Sequence, residues 1–162
     1  MKKIAHVLAL TLIVILLCSC SNNNKPNNYF DFPLKDNGYP DWDNLIINDE
    51  VYELDADKGI LSNNTDINYE ISETTDTIII VIPKRMPVVK WVAEYDDIFS
   101  LTESTLQANL DIDDPVEGES GELQKFVFKY KEKVEKANIK LLLKNVDTTD
   151  GILYLISVHV SQ

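Results

Sequence analysis

Glu122 to Val146 reads ELQKFVFKYKEKVEKANIKLLLKNV, and the repeat of its apolar residues decides between a helical and an all-β chain. Phe126, Phe128 and Tyr130 alternate with Lys125, Lys129 and Lys131; Ala137, Ile139, Leu141 and Leu143 alternate with Asn138, Lys140 and Lys144. Side chains two apart share one face of a strand, so the alternation describes a strand pair turning near Glu132–Lys136. The stretch also lacks Gly and Pro, and Phe126, Tyr130, Val134, Ala137 and Leu141 fall at i+4 and i+3 spacings, the stripe of a long helix. Periodicity alone leaves both readings open.

The neighbouring segments point to strands. Ile152, Tyr154, Ile156, Val158 and Val160 fall on one face of the closing segment, with Ser157 and His159 on the other, a strand buried on one side. Thr77 to Ile82 is a β-branched run stopped by Pro83, which predicts a buried strand. Val88 to Tyr95, bearing Trp91, predicts a second strand after a short loop with Pro83 and Pro87 at its ends, and Phe99-Ser100-Leu101 alternates briefly. Leu45–Ile47, Val51–Leu54 and Ile67–Ile71 predict short strands between turn-forming Asp, Asn and Gly. Tyr29 to Asp43 carries aromatics and prolines without periodicity, as expected of an irregular arm packed on the domain.

The N-terminus reads as an export signal. Lys2 and Lys3 precede an apolar run from Ile4 to Leu17. As a helix that run reaches roughly 21 Å, short of the roughly 30 Å needed to cross a bilayer. Leu17-Cys18-Ser19-Cys20 closes it in the manner of a bacterial lipobox, with Cys20 as the lipidation site, because Cys18 would put the bulky Leu17 directly before the cleaved bond. The expected organisation is a signal peptide over 1–19, a lipidated Cys20 and polar spacer to 28, an arm with short strands over 29–66, and a β-domain over 67–162. The expected location is the cell membrane or outer membrane, tethered through acyl chains.

Charge and composition exclude several classes. The 162 residues carry 27 Asp and Glu against 15 Lys and Arg, a net charge of −12 that becomes −14 when Lys2 and Lys3 leave with the signal. Nucleic-acid binding through a basic surface is excluded, and anionic head groups repel such a domain, so attachment rests on the lipid. A single lipidated cysteine leaves no disulfide, thiol nucleophile or cysteine metal site. The carboxylates of Asp111 to Glu119 do not follow an EF-hand spacing, and Asp55 to Gly59 reads as a turn. His159 is expected at the surface without a ligand or base role. No catalytic residue, metal or cofactor is expected.

The strand rhythm of residues 69–160 resembles the chagasin-like inhibitors of papain-type cysteine peptidases, small immunoglobulin-like β-sandwiches. Trp91 fits the family's aromatic after its first contact loop, here Lys84, Arg85, Met86, Pro87 and Val88; Gly118, Glu119, Ser120 and Gly121 stand where the second, Gly-rich loop lies; Lys144, Asn145, Val146 and Asp147 stand at the third. The family's Asn-Pro-Thr-Thr-Gly and Arg-Pro-aromatic motifs are not reproduced. The resemblance implies an immunoglobulin-like sandwich whose three loops occlude a papain-like cleft reversibly. A non-inhibitory module recognising another cell-envelope protein is the alternative expectation.

Overall fold

The computed structural model describes residues 29–54, 64–72, 74–84, 89–113, 115–132, 134–145 and 152–161. They form ten strands and, among the described residues, no helix: β1 (Tyr29–Phe30), β2 (Asn44–Ile47), β3 (Glu50–Glu53), β4 (Asn64–Glu70), β5 (Thr77–Pro83), β6 (Val89–Tyr95), β7 (Phe99–Ala108), β8 (Glu122–Tyr130), β9 (Lys136–Asn145) and β10 (Ile152–Ser161). One sheet has the order β1-β7-β8-β5-β2-β3, the other β4-β10-β9-β6. The chain is an all-β sandwich.

The two sheets close on one core. Leu45, Ile47, Ile78, Ile80, Phe99, Phe126 and Phe128 from the larger sheet meet Trp91, Ile139, Leu141, Leu143, Ile156 and Val158 from the smaller, all buried. Rings dominate the centre: Phe128 packs edge-on against Phe99 at 5.9 Å and against Tyr95 of the facing sheet at 5.5 Å, geometries that suit the aromatic quadrupole.

The described residues between Glu122 and Asn145 hold two strands, β8 and β9, as the alternation allows, but they do not pair with each other. β8 lies between β5 and β7, whereas β9 lies between β10 and β6 in the other sheet. The stretch around Glu132 is therefore a crossover between sheets, which lets Phe126 and Phe128 face Ile139, Leu141 and Leu143 across the core. β7 is also longer than its sequence suggests, ten residues instead of three. Thr102 to Thr105 are exposed on both faces, so no apolar alternation marks them, and the ladder to β8 alone holds them extended. Glu103 shares the Phe99 and Leu101 side of β7, in the part that the two-residue β1 does not cover, and is a charge that discourages pairing with another chain.

The arm extends the larger sheet. β2 pairs with β5, and the two-residue turn to β3 places Asn48 and Asp49 at φ 45° and 74°, the backbone of a type I′ hairpin. Asn48 Oδ1 accepts from Ile79 N–H at 2.7 Å, its own N–H donates to Ile79 O at 2.9 Å, and its Nδ2 donates to Tyr69 Oη at 3.0 Å. Phe32 folds over the outer face of the same sheet and forms a second small core with Ile46, Val81, Ala108 and Leu123. The arm is thus packed, as its aromatic content suggests.

Candidate functional site

One end of the sandwich gathers the segments singled out by sequence. β5 ends at Pro83 opposite Leu123, the β7–β8 ladder ends with Gln107 opposite Glu122, and β6 begins at Val89 opposite Asn145, the last residue of β9. Segments 84–88, 109–121 and 146–151 therefore leave the sheets from a common end, here termed the loop end. Of the residues expected to make contacts, Lys84, Gly118, Glu119, Ser120, Gly121, Lys144 and Asn145 are described; Arg85, Met86, Pro87, Val88, Val146 and Asp147, like Cys20 and the Asp55–Gly59 turn, lie outside the described residues.

Trp91 and Gln124 fasten the two sheets at this end. The Trp91 indole N–H donates to Pro83 O at 3.2 Å, and Gln124 Nε2 donates to Trp91 O at 2.9 Å. Lys84 is held doubly, its N–H on Glu122 O at 2.9 Å and its Nζ on Glu122 Oε2 at 2.5 Å. The start of the first loop and the end of the second are therefore neighbours. Lys144 reaches Glu94 Oε1 at 3.8 Å along the β6–β9 ladder.

The middle segment is bound to the arm, which sequence reasoning missed. Glu119 Oε1 takes a hydrogen bond from Lys35 Nζ at 3.0 Å, and its side chain is only 15% exposed. The same ammonium stands 4.0 Å from the centre of the Trp42 ring, a cation–π contact. Tyr39 Oη accepts from Val116 N–H at 3.1 Å. Asp111 N–H donates to Gly38 O, and a Cβ on Gly38 would lie 1.6 Å from Asp111 O. Gly38 has φ +78°, so only glycine fits both the turn and the close approach. Asp36-Asn37-Gly38 is a turn signal in the sequence; its partner on the distant loop carries none. Gly121, by contrast, is buried against Leu110.

Chemistry elsewhere is sparse. Among the described residues no three His, Cys, Asp or Glu side chains converge as a metal site, and no helix is long and apolar enough to cross a membrane. His159 is half exposed, hydrogen-bonded through Nδ1 to Asn138 Oδ1 at 2.9 Å, with Asp66 3.6 Å from Nε2. A groove of about 570 Å³ runs over the outer face of the larger sheet, with Ile46, Ile79 and Val81 among its lining and Asn48, Thr77 and Lys125 at its polar part. Its lining runs from Asn48, Asp49 and Glu50 at the β2–β3 turn to Phe30 of the arm. Two phenols are perturbed: burial, then the hydrogen bond to Glu50, pushes Tyr52 up to about 12, and burial raises Tyr130. Neither stands among groups arranged for proton transfer.

The chain matches no protein-family model, no curated protein and no solved structure.

Proposed function

We propose that this chain is a lipid-anchored, non-catalytic binding protein with an immunoglobulin-like sandwich, and that its loop end occludes the cleft of a papain-type cysteine peptidase. The observation that carries the reading is the strand order. The run β2-β5-β8-β7 corresponds to the A-B-E-D sheet of an immunoglobulin-type sandwich and β6-β9-β10 to its C-F-G sheet. In that correspondence the B–C, D–E and F–G connections are segments 84–88, 109–121 and 146–151, the three that the chagasin-like resemblance assigns to the inhibitory wedge. Occlusion of this kind needs shape and backbone contacts only.

The test is steady-state inhibition of papain-type enzymes by the mature chain. Reversible inhibition at concentrations on the order of micromolar or below, lost when residues 84–88 are replaced by a Gly/Ser stretch, supports the reading. Absence of inhibition at that concentration sinks it.

A second reading is favoured by the Lys35–Glu119 contact. A loop whose carboxylate is already committed to the arm is poorly free to enter a narrow cleft, so the arm and the 109–121 segment together would form a composite surface for another envelope protein. That reading expects binding to survive replacement of 84–88 and to be lost when the arm contact is broken.

A further inference from the structure

We propose that the open edge of β6 pairs with β6 of a second copy of this chain, antiparallel and centred on Val92, so that the two smaller sheets join into one. The pairing is independent of lipid attachment and of peptidase binding.

β6 is an end strand: it pairs with β9 and, among the described residues, with no strand on its other side. In an antiparallel ladder alternate residues turn both N–H and C=O towards the same neighbour. Asp96 N–H donates to Asn138 O of β9, so Lys90, Val92 and Glu94, of the same parity, face β9. Trp91 O instead accepts from Gln124 Nε2 of the other sheet at 2.9 Å. Val89, Trp91, Ala93 and Tyr95 therefore present their backbone groups at the open edge, and Trp91 O keeps a second lone pair for a strand.

Side chains choose the register. A self-pairing that joins these groups sets odd-numbered residues opposite odd-numbered ones, so its two-fold axis falls on a residue near mid-strand: Trp91, Val92 or Ala93. Centred on Val92, Lys90 of each copy stands opposite Glu94 of the other, Val92 opposite itself and Val89 opposite Tyr95. Centred on Trp91 or Ala93, Val92 would instead meet Lys90 or Glu94. Opposite charges directly across a pair stabilise it, and like charges oppose it. Within one chain Lys90 is directly across from Lys144, whose ammonium reaches Glu94 at 3.8 Å, and Lys90 has no carboxylate partner among the described residues. Leu155, Leu142 and Val92 form an apolar row over the outer face of the smaller sheet. It ends at the open edge on a half-buried Val92, and a second copy centred there continues it.

β6 also lacks the devices that blunt an edge: it has no proline, no register shift against β9 and no charge among its inward residues Val89, Trp91, Ala93 and Tyr95. The edges at β3 and β4 carry Glu50 and Glu53, and Asp66 and Glu70, with no lysine on either strand to meet them in a second copy.

The test is sedimentation equilibrium of the chain from Cys20 onward, which holds every described strand, under reductant. A dimer at about 100 μM is expected. Lys90→Glu makes both paired positions acidic and Glu94→Lys makes both basic, so each alone is expected to weaken the dimer at least about tenfold. An equimolar mixture of the two variants sets an acidic edge against a basic one and is expected to recover it. In a Cys20→Ser chain, Val92→Cys is expected to cross-link to itself under mild oxidant, and Thr102→Cys on the β7 edge is not. A monomer at that concentration overturns the proposal, as does a dimer that both charge changes leave intact. So does a mixture that fails to recover while circular dichroism shows both variants folded. If either variant loses its fold, the cross-link decides: efficient coupling at Val92→Cys supports the register, and its absence overturns it.

Discussion

The indole N–H of Trp91 donates to the carbonyl of Pro83 at 3.2 Å, joining the second residue after the start of β6 to the last residue of β5 across the core. Both residues flank the 84–88 segment, so this one bond fixes where that loop leaves and where it returns. Replacing Trp91 by Phe keeps most of the apolar area and leaves the Pro83 carbonyl without its indole donor. A loss of about 1–3 kcal/mol in denaturant unfolding is expected, with a local change in amide exchange at Lys84. Stability equal to that of the parent chain would show the bond to be incidental.

Asn48 makes a second separable claim. Its backbone occupies the left-handed region and its side chain holds Ile79 N–H and Tyr69 Oη. Asn48→Gly removes the side-chain bonds and keeps the turn, whereas Asn48→Ala adds a left-handed strain of about 1–2 kcal/mol to the same loss. Thermal or urea melts should rank parent, Gly and Ala in that order, and a reversal of the last two would refute the turn assignment.

Gly38 and Gly118 both have positive φ, at +78° and +86°, but only Gly38 is crowded, since nothing lies within 4 Å of a Cβ on Gly118. Gly118→Ala should therefore cost only the backbone term, about 1 kcal/mol, whereas Gly38→Ala should push the arm from the 109–121 segment. Limited proteolysis reads the difference: faster cleavage within 109–121 for Gly38→Ala, and little change for Gly118→Ala.

Tyr52 yields a pH dependence of known sign. Burial, then the bond to Glu50 Oε2 at 2.8 Å, raises its phenol from 10.0 to about 12, so the folded chain favours the protonated form. The corresponding stabilisation is complete below pH 10 and is lost as pH rises towards 12. In an absorbance titration of the seven tyrosines, Tyr52→Phe should remove a late-ionising component. Tyr130, also raised by burial, should remain among the late ones.

Much of the sheet content was legible because apolar alternation and β-branched runs are local properties. Ile78, Ile80 and Ile82 inward, Phe126 and Phe128 inward, and Ile156, Val158 and Val160 inward all follow from the period of two. The middle of β7 was not legible, because Thr102 to Thr105 are solvated on both faces and a strand held only by its ladder leaves no hydrophobic mark. The three candidate loops could be listed from sequence, but nothing in it shows that Lys35, Gly38 and Tyr39, some 70 or more positions away, would hold the middle one.

The sequence by itself determined that the chain alternates, that it is acidic, and that two lysines and an apolar run precede Cys18 and Cys20, since period, charge and composition belong to the chain before it folds. Only the tertiary structure decided that β8 and β9 part company into opposite sheets, that the strands flanking three distant connections end on one side of the sandwich, and that the arm clamps the 109–121 segment there. Those outcomes depend on which buried faces meet. Phe126 and Phe128 need an apolar partner as much as Ile139 and Leu141 do, and placing the two strands across the core satisfies both, where pairing them side by side would leave each face waiting for another layer.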